Sequence, residues 1–139
     1  MPKTATLAGN RLMDRPEYAS KQKPLTATAE TTVFDAVLDM SKKNFGSVVV
    51  IDGERKILGV VTERDVMNKL VAKGLDSKTT LLSDIMTPDS RIAHETDDMV
   101  DWLRIMSNER FRRLPVVDDE GRIKAVFTQG DFVPTHGLT

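Results

Sequence analysis

Thr62 and Asp65 stand three residues apart at the end of the apolar run "GVVT". Thr128 and Asp131 repeat the pair sixty-six residues later, at the end of "AVFT". Two chemistries suit that spacing. A Thr three residues ahead of an acid, where a strand gives way to a helix, forms a capping box. Its hydroxyl accepts from an orphan helix amide, and the Asp lies at the positive end of the helix dipole. The same carboxylate, beside a cleft, can instead accept both hydroxyls of a ribose while helix amides approach phosphate. The motif by itself favours the cap, so the choice rests on its surroundings.

Those surroundings are duplicated. A slide of 66 aligns Thr31–Asp65 with Asp97–Asp131 without a gap. Eleven of thirty-five positions are identical, among them Asp35/Asp101, Met40/Met106, Asp52/Asp118, Ile57/Ile123 and both Thr–Asp pairs. A fixed period of this kind marks equivalent structural units. Each unit opens on a short extended stretch, "PLTATA" or "SRIAHE", and continues into an apolar-faced helix. Val33, Ala36, Val37 and Met40 form that face in the first unit; Met99, Trp102, Leu103 and Met106 form it in the second. Two apolar runs then flank a turn, with Gly53 and Gly121 as the turn glycines. After Thr62 the spacing turns helical again (Val66, Met67, Leu70, Val71) and stops at Gly74. The fold class expected is α+β: two β-α-β-β-α repeats related by a pseudo-twofold and packed sheet to sheet. Neither repeat is long enough to bury two helices and a sheet face alone. The boundaries read as an N-terminal extension 1–23, repeat one 24–74, a linker and lead-in 75–88, and repeat two 89–139 with a short tail. Pro134 cuts the last helix short.

Composition narrows the chemistry. Twenty Lys and Arg balance 21 Asp and Glu among 139 residues, so no strong net field draws the chain to nucleic acid or a membrane surface. The absence of Cys removes disulfides, thiolate nucleophiles and cysteine-bound zinc. The first residues carry no signal-length apolar segment, which makes a cytoplasmic protein the expectation.

The wording as well as the architecture resembles the CBS domain pair, or Bateman module, named after cystathionine β-synthase. The resemblance rests on "LSDIMT" at 82–87, "RRLPVVDDEGRI" at 112–123 and Gly-apolar-apolar-Thr-x-x-Asp at 59–65, recurring with Ala125 at 125–131. It covers residues 24 to 133. The first repeat departs from it by lacking an "IMT" lead-in, with "YASKQ" in the corresponding place. The resemblance implies an adenosyl ligand (AMP, ADP, ATP, NAD(H) or S-adenosylmethionine) in composite clefts, with ribose on the Asp. It implies one cleft built from Thr62, Arg64 and Asp65 facing Ile92, Ala93, Phe111, Arg112 and Arg113. The other would join Thr128 and Asp131 to Thr26, Ala27, Phe45, Gly46 and Ser47. Arg64 and the Arg112–Arg113 pair suit charge-assisted phosphate binding. Gly130 and Ala125 stand where the first cleft has Arg64 and the slimmer Gly59, so the first cleft is the better site.

Other features have plainer readings. Arg104, Arg110, Arg112 and Arg113, with Lys21 and Lys23 upstream, are the one basic concentration, and the near-zero net charge and few aromatics argue against a nucleic-acid face. His94 and His136 are too few and too far apart for a metal site, and the methionines fall mostly at core spacing. No Ser-His-Asp order, Cys or metal set supports an enzyme, and no catalytic cofactor is expected. The leading function is a regulatory adenosyl-binding module that pairs as a homodimer through its helices and responds by changing shape or partner. The alternative is a pair with degenerate clefts that serves only as a dimerisation surface.

Overall fold

The computed structural model describes residues 10–16, 18, 23–88, 91–109 and 113–128. The chain forms two compact units, Pro24–Ser90 and a second made of Met1–Lys23 with Arg91–Thr139.

In the Pro24–Ser90 unit the elements run β1 (Thr26–Ala27), α1 (Val33–Lys43), β2 (Ser47–Ile51), β3 (Ile57–Thr62), α2 (Glu63–Val66), α3 (Leu82–Ile85) and β4 (Thr87–Pro88). The sheet order is β1-β2-β3-β4, with β1 parallel to β2 and the other pairs antiparallel. Thr32 starts α1 by accepting from the Asp35 amide at 3.2 Å, and Asn44 ends it in the left-handed region at φ 60°. Ser47 to Val50 are all buried, as expected of a strand covered on both faces. Val33, Ala36 and Met40 pack on Val48, Val50 and Val61, with Leu70, Leu82 and Ile85 completing the core. Val37, expected on the same face, is instead exposed beside Phe34 and Leu38. The linker is built in: its Thr80 and Ser77 carbonyls accept from the first α1 amides, Val33 and Phe34, at 2.9 Å.

The segment after Thr62 is not one α-helix. α2 passes at Met67 into a π-helical turn over Met67–Val71, with Ala72 N–H donating to the Met67 carbonyl. The wider turn breaks the expected apolar face. Leu70 is buried, but Met67 and Val71 are exposed. Gly74, with φ 71°, ends the segment as the sequence predicts.

The other unit carries β5 (Ala93–His94), α4 (Met99–Glu109), β6 (Arg113–Val117) and β7 (Ile123–Thr128), in sheet order β5-β6-β7. The expected final helix lies outside the described residues. Ala93, Trp102, Met106, Leu114, Val116, Ala125 and Phe127 form its core together with Leu12. Leu12 belongs to a 3₁₀ turn, Leu12–Asp14, in the stretch read above as an N-terminal extension. That turn repeats the lead-in of the second repeat. Leu12 and Met13 N–H donate to the Asp97 and Glu95 carbonyls; Leu82 and Ser83 donate to the equivalent Thr31 and Ala29. Asp14 accepts from the Arg11 amide as Asp84 does from Leu81. The first repeat therefore has the counterpart of Leu81–Asp84, at Arg11–Asp14, while the "IMT" wording stays absent from it. Tyr18 adds its ring edge-on to Phe127 and donates to Glu95 Oε1 at 2.8 Å, and burial with that bond raises its pKa.

The two hairpins are built alike, but only one of the two expected glycines, Gly121, serves the turn. Asp52 Oδ1 accepts from the Glu54 and Lys56 amides at 2.8 and 3.0 Å; Asp118 Oδ1 accepts from Glu120 and Arg122 at 2.9 and 3.0 Å. The left-handed residue is Arg55 (φ 66°) in one and Gly121 (φ 83°) in the other. Gly53 is not in that region, so its turn role passes to Arg55.

Candidate functional site

Antiparallel pairing sets Ser47 directly opposite Thr62, and the Glu63 amide donates to the Gly46 carbonyl at 3.1 Å. Gly46 and Ser47, assigned above to one cleft, thus share a sheet end with Thr62, assigned to the other. The other unit repeats this arrangement, with Arg113 opposite Thr128. Thr26 and Ala27 pair with Val49 and Val50 on β1, and Ala93 pairs with Val116 on β5. Thr26, Ala27, Phe45, Gly46, Ile92, Arg113 and Thr128 are half-buried; Arg64 is exposed. Ala93 and Ser47 are buried, Ala93 within its unit's core. Phe111, Arg112 and Asp131, with Arg110, Gly130, Pro134 and His136, lie outside the described residues.

Thr62 and Asp65 form the capping box in full. Asp65 N–H donates to Thr62 Oγ1 at 3.2 Å, and Asp65 Oδ2 accepts from the Thr62 amide at 2.9 Å and its hydroxyl at 3.2 Å. The second carboxylate oxygen has further partners that the sequence reading missed. Oδ1 accepts from Thr87 Oγ1 at 3.2 Å and pairs with Lys69 Nζ at 3.2 Å. Lys69 also donates to Thr87 Oγ1 at 3.0 Å and to the Ile85 carbonyl at 3.2 Å. The Asp65 side chain is only 13% exposed. Lys69 had a signal in its four-residue offset from Asp65 along a helix. Thr87 had one in being the last residue of "LSDIMT", but nothing in the sequence says where that Thr docks.

Gly59 completes the same locality. A β-carbon there would come within 2.8 Å of the Thr87 carbonyl oxygen and 2.9 Å of Met86 Sδ. Its missing side chain makes room for β4, which pairs Thr87 with Val60 and Pro88 with Gly59. The slimness read above as space for a ligand is used by the chain itself. His94 is exposed and Trp102 is core, with its indole N–H donating to Asp97 Oδ2 at 2.9 Å. Met40 and Met106 are core, whereas Met13 and Met67 are exposed. Among the described residues, no cluster of His, Cys, Asp and Glu could hold a metal, and no helix is long and apolar enough to cross a membrane.

Two repeats of a strand–helix–hairpin unit, each meeting Thr at the end of its last strand, define a tandem-repeat α+β protein. The chain belongs to the CBS domain family, whose sequence model matches residues 15–72 and 82–134. It is 37% identical over 113 residues to the mitochondrial CBS domain-containing protein CBSX3 of Arabidopsis thaliana, spanning 78% of this chain and 54% of that protein. The chain thus spans about half the length of that curated relative. A protein with CBS domains from Burkholderia ambifaria has a similar structure, with a TM-score of 0.72 and 31% identity over 87% of this chain and 86% of that one. CBSX2, solved in complex with AMP, matches with a TM-score of 0.72 and 27% identity over 94% and 97%.

Proposed function

We propose that the chain is a regulatory module that binds an adenosyl ligand and signals by a change of shape or partner, without catalysing a reaction. The observation that carries this reading is a solved relative of matching extent, CBSX2, with AMP bound. Asp65 is the ribose acceptor in this proposal, in the first turn of α2, which follows the end of β3 paired with Ser47. Arg64, beside it on α2, supplies a cation for phosphate. A pair of identical chains docks through α1 and α4, where Phe34, Val37, Leu38 and Val100 are each more than a third exposed.

The alternative of a ligand-free interaction module has one observation in its favour. Both oxygens of the Asp65 carboxylate already have partners within the chain, three hydrogen bonds and the Lys69 ion pair.

Calorimetry with AMP, ATP, NAD and S-adenosylmethionine separates the two. The ligand reading expects binding that Asp65→Ala weakens by roughly tenfold to a hundredfold, the worth of hydrogen bonds to a charged acceptor. Asp131→Ala leaves the tighter site intact. Binding of none of the four ligands, with both substitutions lowering the melting temperature alike, leaves only the interaction module.

A further inference from the structure

We infer that Gly59, Asp65 and Lys69 form a seat for Thr87, and that a ligand's ribose competes with Thr87 for Asp65. Filling the site then loosens strand β4. The inference rests on the ligand reading above and adds a mechanism to it.

A carboxylate has about four acceptor directions, and on Asp65 three are filled by hydrogen bonds with Lys69 Nζ ion-paired beside Oδ1. Two ribose hydroxyls bring two more donors, so some existing donor must yield. The Oδ2 partners belong to the cap and are fixed by the Thr62 backbone. The Oδ1 partners are weaker holders: a rotatable Thr87 hydroxyl and a Lys69 ammonium on a side chain 42% exposed. Lys69 can leave Asp65 and keep its bonds to the Ile85 carbonyl and Thr87 Oγ1, or take water. Oδ1 is therefore the oxygen a ribose takes.

The consequence falls on β4. This strand is two residues long and pairs with β3 at two positions. Its backbone lies over Gly59, and its one side-chain anchor on this site is the Thr87 hydroxyl. Losing Asp65 as acceptor leaves β4 with a short pairing at a sheet edge, the kind of element that opens first. β4 is the last element of the Pro24–Ser90 unit, so occupancy is felt where that unit ends.

The test is hydrogen exchange across residues 57–62 and 82–88, with and without saturating AMP, joined to AMP calorimetry on the wild type, Lys69→Met and Thr87→Val. AMP is expected to speed exchange of these segments in the wild type. Both variants exchange them faster without ligand and bind AMP about two- to tenfold more tightly, since a competing hydrogen bond has gone. Slower exchange on AMP binding, or weaker binding by both variants, overturns the competition and leaves the ligand reading standing. Unchanged exchange in both ligand-free variants overturns the seat. No AMP binding by any of the three proteins removes the competition and the AMP reading together, while binding gained only in a variant supports the competition.

Discussion

The carbonyl oxygen of Thr87 lies 2.8 Å from where Gly59 would carry a β-carbon. Ala125 holds the equivalent place on β7, buried at 1% exposure, in a sheet whose described strands number three rather than four. The glycine is therefore tied to β4. Gly59→Ala should cost about 1–3 kcal/mol, as overpacking against backbone does. Ala125→Gly should cost about 1–2 kcal/mol for the opposite reason, a lost buried methyl and a looser strand. Urea midpoints measure both. A neutral Gly59→Ala would mean that β4 does not sit on β3 in solution.

Arg55 carries in the first hairpin the positive φ that Gly121 carries in the second. A left-handed residue with a β-carbon costs about 1–2 kcal/mol, so Gly121→Ala should destabilise by that amount. Gly53 has ordinary φ and open space around its missing side chain. Gly53→Asp, the residue in the equivalent place at 119, should stabilise by about 0.4–1 kcal/mol through a less flexible unfolded chain. Thermal melts of the two single variants should move in opposite directions.

Asp52 and Asp118 share a titration. Backbone amides, Lys56 foremost for one and Arg122 for the other, hold both carboxylates below their ordinary range. A depressed folded-state pKa contributes stability that is present above the unfolded value, near 3.9, and is lost as pH falls through the folded value. Asn keeps an acceptor oxygen but does not titrate there. The Asp52→Asn/Asp118→Asn double variant should be less stable than wild type at pH 7. Its urea midpoint should fall less steeply below about pH 4. Parallel curves for the two proteins would show that the turns do not sense the charge.

Much of this was legible in the sequence, for reasons that can be named. α1 and the hairpins announce themselves by period, by apolar runs around a short turn, and by a slide of 66 that keeps them in register. The Thr62–Asp65 box was legible for the same reason: every one of its bonds spans three residues or fewer. Its outer partner Thr87 lies 22 residues away, and no periodicity reports such a contact. The π-helical turn after Val66 was hidden because Met67 and Val71 are apolar at helical spacing while facing solvent. The first lead-in was hidden by its offset. Leu12 and Asp14 match Leu82 and Asp84 at a spacing of 70, which a slide of 66 passes over.

Leu12 and Leu82 are both 0% exposed and make equivalent backbone bonds in their units. Leu82 anchors a segment inside the repeat pair, whereas Leu12 lies in what the sequence offers as an extension. Packing treats the two alike, because a fully buried leucine truncated to Ala loses transfer energy and leaves a cavity wherever it sits in the chain. Leu12→Ala and Leu82→Ala should therefore each cost about 2–5 kcal/mol in urea denaturation. Met13→Ala, on the exposed neighbour, should change stability by less than about 0.5 kcal/mol. A loss at Leu82 with none at Leu12 would mean that the N-terminal turn leaves its core in solution, with Trp102 and Phe127 open to water where Leu12 had covered them.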